Sequence, residues 1–157
     1  MAFVKNLQQV EVLLVEDTAS DAELTMRTLK RGSLFINVHW VKDGAEALDF
    51  MFCGGAYSHR DHTCMPKLML LDIDLPKVDG IEVLRRIRAD ARTRAIPVVI
   101  MTSSDEERDM AQSYNLGINY YIRKPVQFES FLDAVSKLGL YWILGVPDSP
   151  SAAPTNG

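Results

Sequence analysis

The sequence predicts an α/β fold, a doubly wound five-stranded parallel sheet with helices on both faces. Two observations predict it. Several apolar runs are nearly continuous rather than alternating, as expected of strands buried on both faces of a parallel sheet. Segments with helical spacing fall between and after these runs, so the order reads strand then helix five times over, which implies an open parallel sheet.

The first run is Val10–Val15. Ser20-x-x-Glu23 then reads as a capping box opening a helix to about Lys30. A weaker run, Ile36–Val41, supplies a strand, and Asp43-x-x-Glu46 reads as a second capping box, for a helix to about Phe52. The connection Cys53–Pro66 exceeds the ~2–6 residues usual in such units. Three more strand–helix pairs follow: Lys67–Leu71 with Gly80–Arg88, Pro97–Met101 with Asp105–Tyr114, and Ile118–Ile122 with Gln127–Leu144. Helix Asp105–Tyr114 opens on three acids, which suits its dipole, but has only Met110, Ala111 and Tyr114 as apolar anchors. On the last helix Phe128, Phe131, Leu132, Val135, Leu138 and Trp142 share a core stripe. Leu140, Tyr141, Ile143 and Leu144 fall off it and predict a homodimer surface, the alternative being that Cys53–Pro66 folds over them. Residues 1–9 and 146–157 are polar or rich in Pro, Ser and Ala, and read as flexible flanks of one domain over 10–145.

Composition narrows the class. A chain of 157 residues, 47% hydrophobic and 24% charged, fits one ordinary globular domain. The net charge of −4 gives no basic footprint for nucleic acid. No apolar run reaches membrane length and the N-terminus lacks a signal-peptide pattern, so a cytoplasmic location is expected. Cys53 and Cys64 are too few for a disulfide scaffold; with His59 and His62 they offer zinc-compatible ligand types at an unusual spacing. A core cysteine with solvent-exposed loop histidines is the better account.

In an open parallel sheet the ligand site lies beyond the carboxyl ends of the strands. Those ends carry Glu16, Asp17, Asp72, Thr102 and Lys124. Three crowded carboxylates repel unless a cation sits among them, and hard oxygen ligands suit Mg2+. A hydroxyl and an ammonium beside them suit a phosphoryl group, and the central Asp72 is the natural nucleophile for an aspartyl-phosphate.

Glu16-Asp17, the stretch Leu70–Gly80, Ile96–Ser103 and Tyr121–Pro125 together resemble the receiver domains of two-component response regulators, over roughly residues 10–145. The resemblance implies a flavodoxin-like fold and phosphoryl transfer to Asp72 from a sensor histidine kinase. It implies that Asp17, Asp72 and the backbone carbonyl of Asp74 ligate Mg2+, with Glu16 holding a metal-bound water. Lys124 would pair with the phosphoryl oxygens, Thr102 would hydrogen-bond to them, and Tyr121 would turn inward when Thr102 moves. It further implies a cis Lys124-Pro125 peptide. The long connection and the aromatic end of the last helix narrow the likeness to the small response regulators of bacterial and cyanobacterial phytochrome kinases. Such a regulator is not an enzyme, and signals by contact with a downstream protein that the sequence does not identify. Asp72-x-Asp74 also imitates the DxD of haloacid-dehalogenase-type phosphatases. There the motif follows the first strand, whereas here it follows the third.

Overall fold

A computed structural model describes residues 10–31 and 36–140. Its strands are β1 (Val12–Val15), β2 (Val38–Val41), β3 (Leu68–Asp72), β4 (Val98–Thr102) and β5 (Tyr120–Arg123). Its helices are α1 (Ala19–Lys30), α2 (Gly44–Met51), α3 (Gly80–Ala89), α4 (Asp105–Ser113) and α5 (Phe128–Lys137). All strand pairs are parallel, in the order β2-β1-β3-β4-β5.

Alternate side chains of the central strands enter two cores. Leu13, Val15, Met69, Leu71, Val98 and Ile100 pack with α2, α3 and Ala111 of α4. Val12, Leu14, Leu68, Leu70, Val99 and Met101 pack with Ala22 and Leu29 of α1 and with Phe131, Ala134 and Val135 of α5. Every residue of β1, β3 and β4 is buried, which is why their runs lack polar alternation. Register aligns the ends, Val15 pairing with Leu71 and Asp72 with Met101, so Glu16 and Asp72 leave the sheet side by side.

Several expectations need correction. Ser20-x-x-Glu23 is not a capping box: α1 starts at Ala19 with Thr18 at its N-cap and no side-chain cap bond, so Ser20 lies inside the first turn. Glu23 instead pairs with Arg27 one turn on, at 3.1 Å. At α2 the cap is real, since Asp43 accepts from the Glu46 N–H at 2.8 Å, but Glu46 reaches back to the N–H of Lys42. The last helix stops at Lys137 rather than Leu144. Gly139 takes φ +71°, and the Leu140 and Gly139 N–H groups return to Val135 and Ser136 carbonyls, the bonding of a Schellman stop. Leu140 therefore lies beyond the helix and packs partly on the α1–α5 core of its own chain. Tyr141, Trp142, Ile143 and Leu144 lie outside the described residues, as do the two expected flexible flanks. On α4 only Ala111 is buried; Met110 and Tyr114 are exposed rather than anchoring.

The connection after α2 is folded onto the domain. Arg60 is buried against the Phe50 ring, 3.8 Å from its centroid, and donates to the carbonyls of Phe50 and Cys64. Tyr57, in a short 3-10 turn (Gly55–Tyr57), sits edge-on to Phe50 and donates to Glu46 at 2.7 Å. Cys53 is buried at the end of α2, while His59 and His62 are exposed.

At the opposite end of the sheet Arg88 spends its guanidinium on the backbone. It donates to the carbonyls of Leu116, Arg94, Ile96 and Gly117 and to the Asn119 side chain, at 2.7–3.0 Å. One side chain thereby ties the end of α3 to the loops entering β4 and β5. Arg88→Ala leaves several of these acceptors unpaired and should lower the urea-unfolding free energy by ~2–4 kcal/mol. Arg88→Lys should recover less than half, because an ammonium cannot span the fork. A loss below ~0.5 kcal/mol for the alanine variant contradicts this role.

Candidate phosphoryl and metal site

The site is built at the carboxyl edge of β1, β3, β4 and β5. Glu16 follows β1 and is fully buried, Asp17 beside it is exposed, and Asp72 closes β3 with 4% of its surface exposed. Oxygens of these three carboxylates lie within 4.8 Å of one another. Lys124, one residue past β5, brings its Nζ to 3.0 Å from Asp72 Oδ2, 2.9 Å from Glu16 Oε1 and 3.5 Å from Asp21 Oδ2. The Lys124-Pro125 peptide is cis, as the family pattern implies. The Lys124 N–H donates to the Thr102 carbonyl at 2.8 Å, which fixes the end of β5 against the end of β4. Thr102 is buried there, and the helix cap falls to Ser104, which accepts from the Glu107 N–H at 3.1 Å.

Electrostatics follow from burial. Burial raises the Glu16 carboxyl to a pKa of about 7; repulsion by Asp72 adds to it and the Lys124 ammonium opposes it. Burial disfavours the Lys124 ammonium, but Glu16 and Asp72 outweigh burial and hold its pKa above the ordinary lysine value. Glu16 Oε1 is buried, and Lys124 approaches it as an ion pair without the direction of a regular hydrogen bond. A buried, incompletely satisfied oxygen among three carboxylates is a donor set that fits a hard divalent cation. Receiver domains bind Mg2+ at such an acidic pocket.

Asp74 is exposed, and its N–H donates to Asp72 Oδ1 at 3.0 Å, so this loop folds back on the carboxylate it follows. Of the two adjacent tyrosines, Tyr121 packs on the core side that holds Ala111 of α4, whereas Tyr120 bonds Asp133 of α5 on the opposite face. That separates the two aromatics as strand alternation requires.

Sequence reasoning missed two contributors. Asp21 lies in the first turn of α1, and its carboxylate reaches to 3.5 Å from the Lys124 ammonium. Trp40 donates its indole N–H to the Glu16 carbonyl at 2.7 Å; no local pattern signals a bond between neighbouring strands.

Comparison with known proteins gives the family and the fold. The family model described as "Response regulator receiver domain" matches residues 12–136. The probable methanogenesis regulatory protein FilR2 of Methanothrix harundinacea is 40% identical over 144 residues, covering 90% of this chain and 88% of the relative. Response regulator Rcp1 of Synechocystis sp. is 34% identical over 132 residues, covering 84% and 88%. A solved structure of Rcp1, in a Mn(2+)-bound form, superposes with a TM-score of 0.67 at 33% identity, covering 88% of this chain and 97% of that one. The bacteriophytochrome response regulator AtBRR superposes with a TM-score of 0.79 at 44% identity, covering 85% and 95%. Accepting a phosphoryl group is typical of proteins with this domain. A doubly wound sheet whose carboxyl edge gathers Glu16, Asp17, Asp72, Thr102 and Lys124, matched by that model across most of its length, makes this chain a member of the response regulator receiver domain family.

Proposed function

We propose that Asp72 accepts a phosphoryl group from a sensor histidine kinase, and that the kinase is of the phytochrome type. The observation that carries the reading is the Lys124 ammonium, 3.0 Å from Asp72 Oδ2 at the mouth of the carboxylate cluster. In the transfer a carboxylate oxygen of Asp72 bonds to phosphorus while the bond from phosphorus to the kinase imidazole breaks, its electron pair leaving with the imidazole nitrogen. Lys124 offsets charge on the phosphoryl oxygens and Thr102 donates its hydroxyl to them. Asp17, Asp72 and the Asp74 carbonyl would hold Mg2+, and Glu16 would hold a water bound to it. The bound ion supplies neutralisation of the carboxylate and phosphoryl charge. The Mn(2+)-bound form of Rcp1 supports a divalent ion in this cluster, and the likeness to bacteriophytochrome regulators supports a light-sensing kinase.

Output then passes through α4 and β5. When Thr102 is drawn to the phosphoryl group, Tyr121 turns into the space beneath α4, a helix held by a single buried residue. The signal leaves by protein contact in the cytoplasm. No turnover of a small substrate is assigned. The chain also forms a homodimer, for which the off-stripe apolar residues Leu140, Tyr141, Ile143 and Leu144 supply the surface.

Acetyl phosphate with Mg2+ should add one phosphoryl mass to the protein, and EDTA should suppress the addition. Asp72→Asn should abolish it; full labelling of that variant rules the assignment out. With a beryllofluoride phosphate mimic, hydrogen exchange should change across Asp105–Tyr114 and Tyr120–Arg123, and sedimentation should show a dimer weakened by Tyr141→Ser with Leu144→Ser. Unchanged exchange there removes α4 from the output path, and a monomer at every concentration removes the dimer.

A further inference from the structure

The loop from Ile73 to Asp79 joins the proposed acceptor to α3 and carries the Asp74 backbone. It is gripped from two sides. Towards β3, Gly80 lets the chain approach so closely that a Cβ there would lie 2.6 Å from the Asp72 carbonyl oxygen. Towards α2, a Cβ on Gly44 would lie 1.7 Å from the Val78 carbonyl oxygen, so the first turn of α2 rests directly on the loop backbone. Beside this contact the Lys77 ammonium lies 3.4 Å from Asp43 Oδ2. Lys77 holds φ +65°, a left-handed conformation that a residue with a side chain sustains only when its surroundings enforce it. Asp43 is the more constrained partner: its carboxylate is 7% exposed and already caps α2 through the Glu46 N–H. Burial alone raises the Asp43 pKa, but the cap and Lys77 outweigh it and hold it below the ordinary value.

We propose that Asp43 and Lys77 form a positioning clasp that seats the Ile73–Asp79 loop on α2, and thereby set the affinity of the carboxylate cluster for Mg2+. This rests on the metal reading above and deepens it, because neither residue belongs to the cluster. The clasp holds Lys77 in its left-handed turn, and the turn holds Asp74 where its N–H meets Asp72. Release of the clasp lets the loop relax, so that binding a cation must first restore the arrangement.

The sign of one substitution separates positioning from simple charge. Lys77 is a cation, and its loss tightens Mg2+ if only charge matters; if the clasp positions the loop, its loss weakens Mg2+. Trp40 supplies a reporter, since its indole bonds the Glu16 carbonyl. Mg2+ is titrated by Trp40 fluorescence in a Trp142→Phe background and checked by calorimetry. Lys77→Met and Asp43→Asn should each weaken Mg2+ about two- to fivefold. The double variant should be no weaker than the weaker single one, and Lys77→Arg should recover most of the loss. Asparagine keeps the α2 cap, and the Lys77 side chain is 66% exposed, so the variants should stay folded by circular dichroism. If Asp43→Asn unfolds, the Lys77→Met and Lys77→Arg pair decides alone. A Lys77→Met protein that binds Mg2+ as tightly as its parent, or tighter, overturns the clasp, as do additive losses. A parent that does not bind Mg2+ overturns the metal reading itself.

Discussion

Convergence of buried carboxylates at one sheet edge is tolerable because the Lys124 ammonium stands among them. Glu16 is fully buried and Asp72 nearly so, and two like charges at that depth repel one another. A single cation touching Glu16, Asp72 and Asp21 relieves this at the cost of its own burial. The arrangement is therefore balanced but not saturated. Lys124 is shared among acids, and Glu16 keeps an oxygen without a regular hydrogen bond. The proposed chemistry would place a second cation among the cluster's oxygens and an anion beside its lysine.

The fold serves this balance by bringing strand ends into line. Parallel pairing sets Glu16 next to Asp72, and Lys124 N–H to Thr102 carbonyl bonding ties the last strand to the fourth. Glycines at 44 and 80 let backbone segments meet where any side chain would intrude, pressing the loop after Asp72 between β3 and α2. The closest backbone approaches at this face thus lie between β3, the loop after it and α2. On the other flank of the same face α4 rests on Ala111 with Met110 and Tyr114 in solvent, so the least anchored helix adjoins the most tightly arranged site.

The sheet, its five helices and the residues at the strand ends were legible because each leaves a local trace. Buried parallel strands are continuously apolar, and ligand residues follow the ends of such runs. The helix stops were less legible. Gly139 reads as a breaker in hindsight, but Leu138 and Trp142 kept the spacing of the core stripe across it and carried the expected helix to Leu144. Ser20 and Glu23 had the right types at the right interval for a cap, yet the chain had already turned helical at Ala19. Contacts made across long sequence separations left no trace. Arg88 reaching Asn119, Arg60 lying on Phe50 and Trp40 bonding Glu16 each depend on the finished fold to bring the partners together.

The central claim is that the Lys124 ammonium offsets the charge of the carboxylates gathered around it, and Lys124→Met isolates that contribution. Thermal and urea unfolding of this variant and its parent, with and without Mg2+, measure the balance directly. Metal-free Lys124→Met should be less stable than the parent by ~1–3 kcal/mol, since its carboxylates lose their counter-ion. It should also bind Mg2+ more tightly than the parent, because the competing ammonium is gone, and so regain more stability on adding the ion. A Lys124→Met protein with parental stability in EDTA and unchanged Mg2+ affinity contradicts the account.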